Sequence, residues 1–516
     1  MGEWMNGYLR KLDNCREEIL AGGGKDRVAI QHSLGKLTAR ERINRLVDPE
    51  SFQEFGSLVK DPYARLVKDP KPSPADGVVM GLATIKNRQV MVYSLDFTVM
   101  SGSIGDQGVW KIAELVKMAG QAQMPLIGML DSAGSRLAFK GGSSGLYGLG
   151  RLIRNYCLYS GIIPQITLVL GPCTGPIAKV TTLSDFLIMN RKTGFLWLGG
   201  EIGSEGAGSA EFHMSQSGQC DLIADSDEEA LDLVRQLLDF IPQNCWQPRT
   251  ADQPSDDPQR MEDGLLDVMP NNPKFTYDMH EIIKLITDNG EFFELKESFA
   301  PNLIIGFARF DGIVVGIAAS NPDALGGIME PNSSDKYDKF MMFLDAFNIP
   351  IVTISDTTAY PPGDKWERLG VIRHGAKNLH GYSHLTNPKI TMVLRRSYGG
   401  SNITMGSSKM GPDFIFGWPT VEFAPTGPES IVQTVFHKEL AKAREEGNYE
   451  QLYESLLLPL KEACSVMNLG QVFTSYYTVH DVIDPRKTRI HIIKALHASI
   501  GKHEELPDKK RFIKPA

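Results

Sequence analysis

The sequence predicts an α/β protein made of two similar halves, because one pattern of strands and glycine turns occurs twice. In the first half, MPLIGMLDSAG (124–134) is followed by PQITLVLGPCTGP (164–176). In the second half, IPIVTISDTTA (349–359) is followed by PKITMVLRRSYGG (388–400). Each pair consists of an apolar strand containing Asp near its end, and a second strand that runs into a glycine turn. Matched features in the same order indicate an internal repeat.

The spacing within the two copies is also alike, because Asp131 precedes Pro164 by almost the same number of residues that separates Asp356 from Pro388. A helix with an apolar stripe is predicted upstream of each copy. These two helices cover residues 111–123 and 339–348. A strand, a helix and a strand in this order indicate parallel strands joined by crossover connections.

The domain boundary is expected where the composition changes. The segment 243–258 is rich in Pro, Asp and Gln, which is typical of a linker. It divides the chain into an N-terminal domain at 1–255 and a C-terminal domain at 256–516. Two short helices are predicted near the N-terminus, at 10–20 and at 38–46. Thr38 is the expected N-cap of the second.

Composition excludes several classes of function. The net charge of −8 and the pI of about 5.8 argue against a nucleic-acid-binding protein. No apolar run approaches the roughly 18 residues of a membrane span, and the charged N-terminus does not resemble a secretory signal. The six cysteines are widely spaced, which predicts reduced thiols in the cytoplasm. No metal site is predicted.

Two glycine turns are the candidate sites of chemistry. The turns at 174–177 and 399–402 each follow a strand and open a helix, so they expose backbone N–H groups. Such donors can stabilise an oxyanion. Two turns suit a reaction with two carbonyl partners. The alternative is that both are structural tight turns.

The sequence resembles the carboxyltransferase (beta) subunits of propionyl-CoA carboxylase, methylcrotonoyl-CoA carboxylase and methylmalonyl-CoA carboxyltransferase. The resemblance covers nearly the whole chain in collinear order. The matching segments are QHSLGKLTARERINRLVDPESFQE (31–54), PADGVVMG (74–81), LDFTVMSGSIG (95–105), GIIPQITLVLGPC (161–173), AEFHMSQSG (210–218), SDEEALDLVRQLLDFIPQN (226–244), DAFNIPIV (345–352), VIRHGAK (371–377), NPKITMVLRRSYGG (387–400) and DVIDPRKTR (481–489).

The resemblance implies two fused crotonase-like (ClpP/crotonase) domains, each a β-β-α superhelix. The N-half would bind the acyl-CoA thioester, and the C-half would bind biotin carried on a separate protein. Carboxybiotin would release CO₂, the biotin anion would take the α-proton, and the enolate would attack CO₂, so no side-chain base is needed. The implied partners are biotin carboxylase and biotin carboxyl carrier subunits. The implied assembly is a hexamer, a trimer of dimers, with each site between two subunits.

The resemblance also places site residues by position. The oxyanion donors would be the amides of Gly175, Ile177, Gly400 and Ser401. Substrate contacts would come from Gly134, Arg136, Lys179, Asn402 and Ile403. Because Pro176 has no N–H, the donor next to Gly175 is either lost, which weakens the oxyanion hole, or shifted by one residue to Ile177. The side chain of Ile403 would line the acyl pocket, and Lys179 would attract a substrate carboxylate.

The sequence departs from the family pattern around the expected site. In DSAGSRLAFKG (131–141), Ala138-Phe139 replaces the Gln-Glu pair of the family. In DTTAYPPG (356–363), Thr358-Ala359 replaces a Pro-Gly. These changes suggest an altered substrate or reaction.

Three alternatives to acyl-CoA carboxylation remain open from the sequence. The same site run backwards would decarboxylate a dicarboxylyl-CoA. A biotin-free crotonase-type hydratase or hydrolase would need a catalytic carboxylate beside one turn. A non-catalytic acyl-CoA-binding paralogue is favoured by Pro176.

Overall fold

The computed structural model describes residues 2–62, 72–136, 142–199, 206–247, 253–272, 275–467 and 478–515. The chain divides into two compact units, Met1–Gln247 and Pro248–Ala516. The boundary lies inside the segment 243–258 that the sequence suggested as a linker. Within the described ranges, none of the helices is long and apolar enough to cross a membrane.

Unit 1 contains eight helices and eight strands within its described residues. The helices are α1 (Gly2–Leu20), α2 (Lys25–Ser33), α3 (Ala39–Leu46), α4 (Asp106–Ala122), α5 (Gly142–Tyr159), α6 (Ala178–Leu183), α7 (Ala210–Ser215) and α8 (Asp227–Leu237). The strands are β1 (Gln53–Glu54), β2 (Val78–Ile85), β3 (Arg88–Leu95), β4 (Leu126–Ser132), β5 (Gln165–Thr174), β6 (Phe186–Asn190), β7 (Phe195–Trp197) and β8 (Leu222–Ala224).

Unit 2 contains nine helices and eight strands in the part of the chain that is described. The helices are α9 (Met279–Ile286), α10 (Pro331–Ala346), α11 (Asp364–Arg368), α12 (Val371–Tyr382), α13 (Gly399–Thr404), α14 (Pro428–Val435), α15 (His437–Glu446), α16 (Tyr449–Cys464) and α17 (Thr488–Ser499). The strands are β9 (Phe292–Leu295), β10 (Leu303–Phe310), β11 (Ile313–Ser320), β12 (Ile351–Thr357), β13 (Lys389–Tyr398), β14 (Phe414–Gly417), β15 (Glu422–Ala424) and β16 (Asp481–Val482).

The two units have the same sheet. In unit 1 the strand order is β1-β2-β3-β4-β5-β6-β8, and β7 pairs with β5. In unit 2 the order is β9-β10-β11-β12-β13-β14-β16, and β15 pairs with β13. Each strand of unit 2 therefore corresponds to one strand of unit 1, and the predicted internal repeat is confirmed.

The hydrogen-bond register repeats as well. β4 pairs in parallel with β5 up to Leu130, and the register then shifts around Asp131. β12 pairs in parallel with β13 up to Ser355, and the register shifts around Asp356. Both shifts are β-bulges, which re-aim the chain at the end of a strand. The extra residues are on β5 and β13, and the Asp of each repeat lies opposite them, immediately before the loops that carry the candidate site.

Of the two helices predicted near the N-terminus, α3 has the predicted N-cap, whereas α1 is longer than predicted. Thr38 caps α3, and Thr38 and Glu41 form a reciprocal capping box. The helix expected at 10–20 begins earlier, because α1 starts at Gly2. Polar and apolar residues alternate at helical spacing from Trp4 onward, and Gly7 did not interrupt the helix.

One buried lysine in each unit caps backbone carbonyls of the loop before the first hairpin. In unit 1 the Nζ of Lys111 donates to the carbonyls of Ala75 at 2.8 Å and Val78 at 2.6 Å. At the equivalent place in unit 2, the Nζ of Lys336 donates to the carbonyls of Phe299 at 2.8 Å and of Lys296 at 3.0 Å. Burial lowers the pKa of Lys111 to about 8 and that of Lys336 to about 7. Desolvation of the ammonium outweighs the nearby carboxylates in both cases.

We expect the free energy of unfolding to rise with pH between about 7 and 10.5 because of Lys336. The unfolded chain binds this proton up to the ordinary pKa of 10.5, whereas the folded chain loses it near 7, so the unfolded state binds more protons in this range. Urea unfolding at a series of pH values measures the slope. Lys336→Met should be less stable overall, because carbonyls lose their donor, but its slope should be flatter. An identical slope in both proteins would contradict the assignment.

Candidate active site

The glycine turn of unit 1 joins β5 to α6. Gly175 adopts a left-handed backbone with φ of 76°, which glycine tolerates without strain. Its amide donates to the carbonyl of Leu198 at 3.1 Å, just beyond β7. The Gly175 amide is therefore occupied, and its predicted role as an oxyanion donor is not supported. Pro176 has no N–H, and Ile177 is the last residue of a short 3-10 helix, Gly175–Ile177, so its role as an oxyanion donor stays a prediction. Ile177 is left as the candidate donor of this turn.

Gly134 lies against this turn, whereas Arg136 does not face it. A Cβ atom on Gly134 would come within 2.8 Å of the hydroxyl of Thr174, so the loop after β4 approaches the turn closely. The guanidinium of Arg136 instead pairs with Asp76 at 2.5 Å and with Asp61 at 3.2 Å. These contacts give Arg136 a structural role in bracing the loop, and substrate binding by Arg136 stays a prediction.

Two further positions of unit 1 were singled out from the sequence, Lys179 and the Ala138-Phe139 pair. Lys179 is exposed on α6, with an ammonium that can reach a ligand. The Ala138-Phe139 pair lies outside the described residues. By sheet register, Lys179 occupies the position in unit 1 that Ile403 occupies in unit 2.

The glycine turn of unit 2 joins β13 to α13. Gly399 is left-handed with φ of 57°, as is Gly175 in unit 1. Gly400 and Ser401 are the second and third residues of α13, where backbone N–H groups have no intrahelical acceptor. Gly400 is exposed and its amide is open to a ligand, whereas Ser401 is fully buried. Asn402 is half-buried, and Ile403 is 43% exposed. All four predicted residues of this half therefore lie together in the first turns of α13.

A cavity of about 700 Å³ in unit 2 adjoins the strand that leads into this turn. It is lined by Ile328, Thr358, Ala359, Tyr360, Pro361, Pro362, Arg395, Arg396, Tyr398, Glu422, Thr426, Gly427, Glu429, Ser430 and Lys461. The loop with the Thr358-Ala359 departure forms one wall. The cavity is large enough for a small bicyclic ring and offers both donors and acceptors.

Sequence reasoning missed the polar pairs of this cavity. The Tyr398 hydroxyl donates to Glu422 on β15, and the Lys461 ammonium lies 2.7 Å from a Glu429 oxygen. Burial and the Glu422 carboxylate raise the pKa of Tyr398, so its hydroxyl stays protonated at neutral pH. These residues come from segments far apart in the chain. Only the pairing of β15 with β13 brings Glu422 to Tyr398.

Asp131 is fully buried behind the turn of unit 1. The ammonium of Lys36 lies 2.9 Å from its carboxylate, and Arg42 lies 3.1 Å from it. The side-chain amide of Gln31 donates to it at 3.0 Å. The carboxylate fills the space beside Gly171, where a Cβ atom would lie only 1.9 Å from Oδ1. Asp131 thus neutralises two buried cations and packs under β5.

Asp356 is its fully buried counterpart in unit 2, with different partners. The Nε atoms of Arg395 and Arg396 each donate to it at 2.9 Å. The Arg396 amide donates at 3.0 Å and the Tyr277 hydroxyl at 2.9 Å. The same carboxylate position is therefore kept in both repeats, and in each it anchors the strand that leads to a glycine turn.

Comparison with known proteins identifies the family. Residues 30–513 match the carboxyl transferase domain model. The chain is 36% identical to the propionyl-CoA carboxylase carboxyltransferase subunit of Haloferax mediterranei, over 98% of both chains. It is 37% identical to the methylmalonyl-CoA carboxyltransferase 12S subunit of Propionibacterium freudenreichii, over 98% of this chain and 97% of the relative.

A decarboxylase subunit and a solved structure are similar to a comparable degree. The chain is 36% identical to the methylmalonyl-CoA decarboxylase subunit alpha of Veillonella parvula, over 96% of both chains. The crystal structure of transcarboxylase 12S, a hexamer with methylmalonyl-CoA and methylmalonic acid bound, matches with a TM-score of 0.92 and 36% identity over 99% of both chains. The duplicated α/β fold predicted from the sequence is thus that of a crotonase-like carboxyltransferase, and the chain belongs to the carboxyl transferase family of biotin-dependent acyl-CoA enzymes.

Proposed function

We propose that the chain transfers a carboxyl group between carboxybiotin on a carrier protein and an acyl-CoA, with the acyl-CoA bound by unit 1 and biotin by unit 2. The observation that carries the proposal is the exposed amide of Gly400, which is followed by Ser401 in the first turn of α13, beside a cavity in unit 2 lined by polar and apolar side chains. Two convergent N–H donors suit a carbonyl oxygen that gains negative charge. When bound, biotin supplies both the carboxyl group and the base.

The residues of the chain then have limited tasks. In unit 2, the amides of Gly400 and Ser401 hold the ureido oxygen as it becomes more negative. In unit 1, the amide of Ile177 holds the thioester oxygen of the enolate. Each interaction strengthens as charge develops, so it lowers the barrier rather than only the binding energy. The relation of the chain to catalytic relatives over its full length favours this function over the biotin-free and non-catalytic alternatives.

We further propose that the chain assembles as a hexamer, as transcarboxylase 12S does, and works with biotin carboxylase and biotin carboxyl carrier partners. The full-length likeness to that hexameric protein supports the assembly. A cytoplasmic location is proposed as well. All six cysteines are free thiols, which suits a reducing compartment.

The test of the function is the product formed from a panel of acyl-CoAs. The purified chain is incubated with each acyl-CoA and chemically prepared carboxybiotin, and, in the reverse direction, with each dicarboxylyl-CoA and free biotin. Mass spectrometry should show an acyl-CoA heavier by one carboxyl group in the first case, and carboxybiotin in the second. Hydration or hydrolysis products without any transfer would refute the proposal.

Decarboxylation of a dicarboxylyl-CoA is a second candidate, because the decarboxylase of Veillonella parvula is as similar as the carboxylases. In that case this chain would deliver the carboxyl group to biotin. The two candidates share one site and differ in direction. The reverse assay above therefore covers both. Because both directions use the same pair of acyl-CoA compounds, the two candidates are distinguished by whether a partner protein supplies carboxybiotin or consumes it.

Lys179→Ala is expected to lower kcat/KM for a dicarboxylyl-CoA more than for the matching monocarboxylyl-CoA. The exposed ammonium of Lys179 on α6 would pair with a substrate carboxylate, and loss of a hydrogen bond to a charged group costs about 1.5–3 kcal/mol. The measurement is kcat/KM for both members of one pair, such as methylmalonyl-CoA and propionyl-CoA. Lys179→Arg keeps the charge and is the control. Equal loss for both substrates would leave Lys179 as a surface residue.

Ile403→Ala, made in parallel, tests the acyl pocket. The smaller side chain should broaden the tolerated chain length, since each methylene in an apolar pocket contributes about 1–3 kcal/mol of discrimination. An unchanged preference would remove Ile403 from the pocket.

A further inference from the structure

Tyr360 lies between two glycines in unit 2. It belongs to the loop that follows β12 and forms part of the cavity wall. A Cβ atom on Gly400 would lie 3.4 Å from the ring, and a Cβ atom on Gly375 of α12 would lie 3.0 Å from its Cζ and hydroxyl. The ring therefore packs directly against the backbone of α12 on one side and of the glycine turn on the other.

The hydroxyl of Tyr360 begins a chain of two hydrogen bonds. It lies 2.8 Å from the Oγ1 of Thr404, and the Thr404 hydroxyl donates to the carbonyl of Gly400 at 3.2 Å. Thr404 is fully buried. A threonine hydroxyl has one hydrogen, so Tyr360 must donate to Thr404 while Thr404 donates to Gly400. Burial raises the pKa of Tyr360, which keeps this proton in place at neutral pH.

The chain ends on the peptide unit that carries the Ser401 amide. The carbonyl of Gly400 and the N–H of Ser401 belong to one planar peptide group and point in opposite directions. Fixing the carbonyl therefore fixes the direction of the N–H. Successive hydrogen bonds in one chain also polarise each other, which makes the terminal N–H a better donor.

We propose that Tyr360, acting through Thr404, is a positioning residue that fixes the peptide group between Gly400 and Ser401 and so holds the exposed Gly400 amide in place for the reacting oxygen. The inference rests on the proposed role of this amide in carboxyl transfer. Tyr360 does not touch the reacting atoms in this assignment. Its ring limits how far the turn can move, and its hydroxyl sets the rotation of one peptide group.

The test is a double-mutant cycle with Tyr360→Phe and Thr404→Val in the full-length protein. Each variant should lower kcat of carboxyl transfer to free biotin about tenfold or more, because small displacements of a catalytic group are costly. The KM for acyl-CoA should change little. The double variant should be no slower than the worse single variant, since both break one chain. Additive losses, or an unchanged kcat in Tyr360→Phe, would overturn the proposal.

Tyr337→Phe is the matched control. Tyr337 is fully buried, more so than Tyr360, and its hydroxyl lies 3.3 Å from the Oγ1 of Thr353 on β12 rather than near the turn. It should keep the wild-type kcat even if its melting temperature falls. A loss of kcat equal to that of Tyr360→Phe would mean that both tyrosines act only through stability, and would overturn the proposal.

Amide hydrogen exchange separates this inference from the proposed function. Peptides covering α13 should exchange faster in Tyr360→Phe and Thr404→Val than in the wild type, and at the wild-type rate in Tyr337→Phe. This readout needs no turnover. A wild-type protein that transfers no carboxyl group would refute the proposed function, whereas unchanged exchange in Tyr360→Phe would refute the positioning.

Discussion

Gly400→Pro is expected to lower kcat of carboxyl transfer by about 10²–10³, which corresponds to about 2.7–4 kcal/mol of lost transition-state stabilisation. Proline removes the exposed amide of the unit 2 turn and leaves the amide of the buried Ser401 in place. The fold should accept it, because Pro176 occupies the equivalent position in unit 1, after a glycine of the same left-handed conformation. Proline is also favoured in the first turn of a helix.

Gly400→Ala is the matched control for this substitution. It adds a Cβ atom in ordinary contact with Tyr360 and keeps the amide hydrogen. We expect most of the wild-type kcat in Gly400→Ala and a similar KM for acyl-CoA in both variants. Melting curves establish that both proteins are folded. Equal activity of the two variants would show that the Gly400 amide is not a donor in the reaction.

Asp131→Asn is expected to destabilise unit 1 by about 3–5 kcal/mol. Breaking a buried ion pair leaves an uncompensated charge in a poorly solvated site. Here Lys36 would lose its carboxylate partner, whereas Arg42 keeps Asp227 at 2.8 Å, and the side chains of Lys36, Arg42 and Asp131 are at most 3% exposed. A loss of this size shifts the melting temperature by roughly 6–20 °C in a domain of this length.

The control is a salt bridge of similar geometry on the surface. Asp225→Asn breaks the contact of Asp225 with Arg191, whose Nε lies 2.5 Å from the carboxylate, but both side chains are well exposed. Such pairs contribute about 0–1 kcal/mol. Urea unfolding at pH 7 compares the two variants. If Asp131→Asn were as mild as Asp225→Asn, solvent or a rearranged partner would have to compensate for the lost carboxylate.

The internal repeat could be predicted from the sequence because it depends on local sequence patterns. The apolar strands, the Asp at the end of the first strand and the left-handed glycine after the second all occur at the same spacing in both copies. The sequence did not predict which amide of each turn is already hydrogen-bonded within the protein. The Gly175 amide is taken by Leu198, and that contact exists only because β7 pairs with β5.

Arg136 and Tyr360 both show that the sequence did not predict contacts with residues distant in the chain. Arg136 matched a family motif but is turned toward Asp61 and Asp76, which precede it by many residues. Tyr360 lies in the segment DTTAYPPG (356–363), but nothing in that segment indicates its contacts with Thr404 and with two glycines that are distant in the chain. Partners over long sequence separations depend on tertiary packing, which periodicity and spacing do not encode.

The buried carboxylates limit how the two halves can exchange parts. Asp131 takes its cations from residues 36 and 42, outside the repeated strands, whereas Asp356 takes them from β13 itself. Arg395 stands at the register position of Gly171, and Gly171 has no room for a side chain while Asp131 is in place. A chimera with β13 in unit 1 would bring in two extra cations, Arg395 and Arg396, and the Arg395 side chain would clash with Asp131. A chimera with β5 in unit 2 would leave the Asp356 carboxylate without its two arginine partners. If the halves arose by duplication, each copy has since become dependent on its own counterions, and reverting either one would require several simultaneous substitutions.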